Sequence, residues 1–374
     1  MRVALLSPYH DGSHKYWADG LTRHSSHEFK IFSMPARFWK WRMHGAAITL
    51  ADEYVNSSFA ADVFLATDML DLSTFLSLTR RTTAFNPAIL YMHENQLTYP
   101  LPKDPDQGPM RRQAGERDLH FGFVNYVSML AADAVMFNSE FHRESLIEEL
   151  PRFLKQFPEY HELRMVDSIV NKSSVLYPGL ELSPGINDAP EEAESPPLII
   201  WNQRWEYDKD PETMFDVLYK LAERNLPFNV AICGQNFRVR PEEFEIAREK
   251  LAGRIAHFGY AEPGEYRRLL RRSHITFSTA QHEFFGIAVL EAVASEAFPV
   301  LPNRLSYPEI IPAEFHSPCL YSTREQLLER LEWALTNRDQ ARSIAADLAE
   351  TTSKYQWSEM AQKYDKAIEA VAGK

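Results

Sequence analysis

Short apolar runs broken by polar turns recur along the whole chain. RVALLSPY reads as a buried strand and runs into the turn-rich DGSH, after which HKYWADGLTRH has helical spacing. EFKIFSMP alternates as a second strand. ADVFLATD, PAILYMHE and ADAVMFNS are further strand-length runs, each ending in polar residues. Between the last two, ERDLHFGFVNYVSMLAAD predicts a long helix. Strands alternating with helices predict a parallel α/β sheet, whose ligands bind beyond the carboxyl ends of the strands. Residues 11–14, Asp68, residues 93–96, Asn138 and Ser139 are therefore expected on one shared rim.

Residues 177–197, YPGLELSPGINDAPEEAESPP, are rich in proline, glycine and acid and read as a linker. The pattern then restarts with PLIIWNQ, FNVAICG, RIAHFGY, HITFSTA and FPVLPN as strands. PETMFDVLYKLAERN and EYRRLLRRS are helical stretches among them. The expected organisation is a first α/β domain over 1–180, a linker over 181–197, a second α/β domain over 198–354 and a terminal helix over 355–374. Two such domains imply a cleft between them.

Composition narrows the class. The 374 residues are 45% hydrophobic and 25% charged, as expected of a globular protein. No apolar run approaches the roughly 20 residues of a membrane span. The first run meets Pro8 and His10 too early for a signal peptide. Cys233 and Cys319 stand in unrelated contexts and form no disulfide or metal framework, so a cytoplasmic protein is expected. The net charge of −12 argues against indiscriminate phosphate binding. It is unevenly spread: residues 1–180 hold 18 Lys+Arg and 21 Asp+Glu, net −3, and the remainder holds 22 and 31, net −9. A polyanion would meet the first half. PARFWKWRMH, residues 35–44, stands there, and no acidic residue occurs between Glu28 and Asp52.

Two constellations could perform chemistry. In HEFFGIAVLEA, Glu283 and Glu291 are eight apart, which places both near one face if the segment is helical. Phe285, Gly286 and Ile287 between them would offer free amides at a helix N-terminus, suited to phosphate or sugar oxygens. Alone, the segment reads first as an amphipathic helix start with solvated glutamates. Arg204 and Lys209 change that balance, because both follow the first strand of the second domain. Two fixed cations there can neutralise a departing diphosphate. Asp208-Lys209-Asp210 has the D-x-D form of a metal site, but its central lysine disfavours a dication. HEFFG is not H-E-x-x-H, and no G-x-G-x-x-G occurs. No metal or resident cofactor is expected.

The E-x7-E segment and the Arg/Lys pair resemble the retaining glycosyltransferases of GT-B architecture. These have two facing Rossmann-like domains and a C-terminal helix that crosses back to the first. GSHK at 12–15, PARFWKWR at 35–42, HENQLTYP at 93–100, ERDLHFGFVNYVSMLAAD and FNS at 137–139 resemble the tRNA-queuosine mannosyltransferase family. The resemblance implies transfer of mannose from GDP-mannose to the cyclopentenediol of queuosine at the tRNA wobble position. It implies that Arg204 and Lys209 hold the diphosphate, Glu283 reaches the sugar, Glu291 takes the ribose hydroxyls, and Phe285, Gly286 and Ile287 line the donor. His93 is implied beside the donor sugar, supporting an oxocarbenium-like transition state through its carbonyl. A lone histidine reads first as structural; Glu94, Asn95 and Gln96 behind it favour the functional reading. The acceptor side is expected at Gly12, Ser13, His14, Trp39, Trp41, Arg42, Asn95, Gln96, Arg117 and Asn125, with Phe38 turned inward as an anchor. A monomer is expected. The alternatives are another nucleotide-sugar with a lipid, glycan or small-molecule acceptor, a non-catalytic RNA-binding protein, and a sugar-nucleotide epimerase.

Overall fold

The computed structural model describes residues 1–100, 118–182, 196–234 and 242–373. The chain divides into two compact units, residues 1–181 with 355–374, and residues 182–354. Most of the expected linker lies outside the described residues, as does Arg117.

Unit 1 contains β1 (Arg2–Ser7), α1 (Gly12–His24), β2 (Glu28–Ser33), α2 (Trp39–Val55), β3 (Val63–Thr67), α3 (Leu72–Thr83) and β4 (Ala88–Met92). It continues through α4 (Leu119–Ala131), β5 (Ala134–Phe137), α5 (Glu140–Leu154), α6 (Arg164–Asn171) and β6 (Ser173–Val175). The strands form one six-stranded sheet in the order β2-β1-β3-β4-β5-β6, every pairing parallel. Every residue of β3 and β4 is buried, which follows from helices covering both faces.

Unit 2 repeats the plan. It holds β7 (Leu198–Asn202), α7 (Pro211–Glu223), β8 (Asn229–Cys233), α8 (Glu242–Lys250), β9 (Ile255–Gly259), α9 (Pro263–Arg272), β10 (Ser273–Phe277) and α10 (Ile287–Ala294). Then come β11 (Phe298–Pro302), α11 (Tyr307–Ile310), α12 (His316–Cys319), β12 (Leu320–Tyr321), α13 (Arg324–Thr336) and α14 (Arg338–Thr351). The parallel order is β12-β11-β10-β7-β8-β9. In both sheets the first strand of the unit sits inside, where the strand order reverses. That is the switch point at which α/β sheets expose loops to ligands. No described helix is long and apolar enough to cross a membrane.

The last helix, α15 (Trp357–Ala372), belongs to unit 1. Its buried face, Trp357, Met360, Ala361, Tyr364, Ile368 and Val371, recurs at helical spacing and packs against Trp17, Leu21 and Tyr91. Trp17 stacks on Tyr91 at 4.4 Å and donates its indole N–H to the Tyr364 hydroxyl at 2.8 Å. Trp357 fits only because two neighbours lack side chains: a Cβ on either Gly20 or Gly179 would stand 2.3 Å from the indole. Gly20→Ala is expected to lower stability by about 1–3 kcal/mol through overpacking, and Trp357→Ala by about 3–5 kcal/mol through the void it leaves. The two losses should be less than additive, because Trp357→Ala removes the ring that the new methyl would strike. Denaturant melts of the three variants check this.

Candidate active site

Unit 1 gathers the expected rim into one polar cluster. Asp68, just past β3, is buried and accepts the His93 backbone N–H at 2.8 Å. Asn138, just past β5, donates from Nδ2 to the His93 carbonyl at 2.9 Å, and its Oδ1 lies 2.7 Å from His142 Nδ1. The His93 ring lies 4.4 Å from that of His14 and meets Trp17 and Tyr91 edge-on at 4.8 Å each. Burial holds the His93 imidazole well below its ordinary pKa, and His14 and His142 add to this, so the ring is neutral. Its Nε2 is buried without a hydrogen-bond partner among the described residues. Burial, and then Glu94, raise the Asp68 carboxyl well above its usual range.

Several expected acceptor residues are used up inside this cluster. Asn95 is fully buried: its Oδ1 accepts the N–H of Leu97 and of Thr98, and its Nδ2 donates to the Thr98 hydroxyl. Asn125 is fully buried too, accepting from Gln96 N–H and donating to the Asp68 carbonyl. Both shape the turn after β4 and present nothing outward, which corrects their assignment as acceptor contacts. Gln96 is half-buried and donates to Glu94 at 3.0 Å. Gly12 has φ of +52° with open space where a Cβ would be, and Ser13 beside it is exposed.

The aromatic segment is inverted relative to expectation. Phe38 is 69% exposed rather than anchored inward, and Trp39 is the half-buried residue, 5.1 Å from Phe121 and packed on Met43 and Val124. Trp41 is 62% exposed. The cause is local: Phe38 has φ of +53°, a left-handed backbone that no apolar pattern reports.

In unit 2 the site forms around Lys209, in a short 3-10 turn (Tyr207–Lys209) between β7 and α7. Its side chain is only 7% exposed, and its ammonium donates to the His282 carbonyl at 2.7 Å and to Glu283 Oε2 at 3.3 Å. Asp208 Oδ2 lies 3.2 Å from it. Thr279 and Gln281 clasp the same turn, through the Lys209 carbonyl and the Asp208 carbonyl. Arg204 is more open and pairs with Glu206 at 3.0 Å. Asp210 caps α7 by accepting the Thr213 N–H, and it also takes the Gln281 amide. The D-x-D string is thus spent on Lys209 and on helix capping.

Glu283 and Glu291 do not share a helical face. Helix α10 begins only at Ile287, so Glu283 belongs to the preceding loop and Glu291 to the second turn. Gly286 precedes the helix with φ of +102°, a conformation that favours glycine, and no side chain caps the N-terminus. The Phe285 carbonyl is taken by the buried Ser306 hydroxyl at 2.9 Å. Glu291 accepts from Tyr266 at 2.7 Å, and Asn202 donates to the same hydroxyl. Asn202 was not singled out in the sequence, although its place at the end of an apolar strand could have pointed to it. Tyr266 reaches in from α9, and nothing local to its sequence reports that. Arg204 and Lys209 are the cations of this turn, with Glu283 beside the Lys209 ammonium; fixed cations and uncapped helix starts are groups of the kind that can hold an anion. Among the described residues no group of His, Cys, Asp and Glu could hold a metal ion.

His282 is held neutral, its pKa lowered to about 4 by burial and next by Lys209. Unfolded, it takes up a proton near pH 6.5. Its share of stability is therefore complete above about pH 6.5 and is lost as pH falls towards 4. His282→Gln is expected to remove that dependence, flattening stability between these pH values by up to about 3 kcal/mol. Melting both proteins across the range measures the difference.

Comparison with known proteins fits this geometry. The family description "tRNA-queuosine alpha-mannosyltransferase N-terminal" matches residues 2–180, and "Glycosyl transferases group 1" matches residues 185–351. A tRNA-queuosine alpha-mannosyltransferase of Drosophila melanogaster is 36% identical over 338 residues, covering 88% of this chain and 85% of that protein. The fold is similar to that of a sucrose-phosphate synthase from Thermosynechococcus elongatus, with TM-score 0.74, 12% identity, and coverage of 100% of this chain and 99% of that one. A UDP-forming alpha,alpha-trehalose-phosphate synthase from Burkholderia xenovorans gives TM-score 0.68 and 14% identity, with 99% of each chain covered. The architecture is that of the GT-B glycosyltransferases. The chain belongs to the tRNA-queuosine alpha-mannosyltransferase family.

Proposed function

We propose that this glycosyltransferase moves mannose from GDP-mannose to a cyclopentenediol hydroxyl of queuosine in tRNA, with retention at the anomeric carbon. The supporting observation is the buried Lys209 ammonium, held beside Glu283 next to the uncapped N-terminus of α10. In this scheme Arg204, Lys209 and the amides of Gly286 and Ile287 grip the diphosphate, while the Phe285 N–H points to Glu283 Oε1 at 3.5 Å. Glu291 takes the ribose hydroxyls and Glu283 orients the hexose. A buried cation of this kind stabilises the charge that develops as the sugar leaves phosphate.

The balance of the step is simple. The bond from the anomeric carbon to the phosphate oxygen breaks, and the acceptor oxygen bonds the same carbon on the same face. The acceptor's proton passes to the departing phosphate, and GDP is the product. Glu94 therefore needs no role as base. In unit 1, His93 is neutral and fixed through both backbone groups, and Gly12, Ser13, His14 and Gln96 share its rim. The reaction needs no metal, the cations of the chain serving instead, and the enzyme works as a cytoplasmic monomer.

With radiolabelled GDP-mannose, queuosine-containing tRNA is expected to gain label and tRNA with guanosine at the same position is not. Glu283→Gln should lower that rate by about 100-fold or more while melting near wild type. No label in queuosine tRNA would overturn the acceptor assignment. Conversion of the donor with no acceptor present would favour an epimerase.

A further inference from the structure

The start of α2 presents an arrangement that the transfer step does not use. Phe38 precedes the helix in the left-handed region, with its ring 69% exposed. A bulky aromatic rarely adopts that backbone. Its carbonyl accepts the N–H of Trp41 at 2.8 Å and of Arg42 at 3.1 Å, so the distortion is built into the helix start. Trp41 follows three residues later, 62% exposed.

The Trp41 ring has a seat. A Cβ on Gly45, one turn further on, would stand 2.9 Å from two atoms of the indole, and its three nearest atoms all belong to that ring. Glycine inside a helix is destabilising relative to alanine, so it needs a reason. Here the missing side chain lets the indole rest against the helix while most of the ring stays in water.

The surroundings are cationic. Arg37 is exposed, and Lys40 and Arg42 are half-buried. The Arg42 Nε donates to the Pro35 carbonyl at 3.1 Å, which orients the guanidinium. His44 stacks on His120 at 4.5 Å. Exposed aromatics ringed by cations match unpaired bases joined by phosphates, since every base has a stackable face. Ile48 and Val55, one and two heptads beyond Trp41, are also exposed, but Asp52 and Glu53 interrupt that stripe. The charge favours nucleic acid over a second copy of the chain.

We infer that Phe38 and Trp41 form a stacking platform for the unpaired bases beside the acceptor nucleoside of a tRNA loop, with Arg37, Lys40 and Arg42 meeting the adjoining phosphates. This rests on the proposed tRNA acceptor and adds how the loop is held open.

An anticodon stem-loop with 2-aminopurine beside the wobble position reports stacking as fluorescence quenching. The full-length protein should bind and quench it. Phe38→Ala and Trp41→Ala should each weaken binding by about ten- to hundred-fold, and Trp41→Phe should restore most of it. Gly45→Ala separates folding from recognition: it should raise the melting temperature yet weaken RNA binding, because the methyl unseats the indole. Wild-type affinity and quenching in all these variants would overturn the platform. So would a wild-type dimer in sedimentation that Trp41→Ala dissociates while RNA binding persists, which would make the patch an interface between copies. Binding and quenching by a wild-type protein that transfers no mannose would sink the reaction and spare the platform. Transfer with an unaltered stem-loop KM in Trp41→Ala would sink the platform alone.

Discussion

The second unit is organised around one buried charge. Lys209 keeps its ammonium away from bulk water by donating to the His282 carbonyl and Glu283, with Asp208 close by. A buried charge is tolerated only when paired and hydrogen-bonded, so the loops that supply its partners must come together. That need ties the turn after β7 to the loop after β10, and Thr279 and Gln281 complete the tie through backbone carbonyls. The same requirement fixes Glu283 beside the cation, and α10 begins nearby without a side-chain cap.

Unit 1 is built on the opposite principle. Its central group, His93, is neutral, and its backbone N–H and carbonyl are both taken by neighbouring side chains. Asp68, Asn125, Asn95 and Asn138 come from loops after different strands or from α4, and together they hold the turn after β4 rigid. Held through both backbone groups, His93 keeps one orientation. The aromatic start of α2 lies outside this network and faces solvent, where a large acceptor can reach it.

Much of this was legible in the sequence because burial on both faces leaves a loud signal. Runs such as AILYM and LIIWN read as interior strands because helical stretches alternate with them, and their polar ends marked the rim. The place of Arg204 and Lys209, in the turn between β7 and α7, was legible from the strand before them and the helix after. The two-residue β12 and three-residue β6 were not, being too short to show a pattern. Asn95 and Asn125 looked like outward ligands because a polar side chain does not reveal whether backbone groups consume it. Phe38 and Trp39 exchanged places because one positive φ rotates the side chains of a helix start. The eight-residue spacing of Glu283 and Glu291 suggested a shared helical face, but Gly286 delays the helix to Ile287.

The central claim is that the charge at Lys209 exists to hold the donor's diphosphate. Titration calorimetry with GDP tests this most directly, comparing the wild type with the double variant Asp208→Asn/Lys209→Met. The double change leaves no orphaned carboxylate at the buried position 208, and Glu283, 25% exposed, keeps access to water, so the fold should survive. The account predicts that GDP binds the wild type far more tightly than guanosine does, and that the double variant loses about 100-fold or more of that affinity while still melting cooperatively. A folded double variant that binds GDP as tightly as the wild type would contradict it.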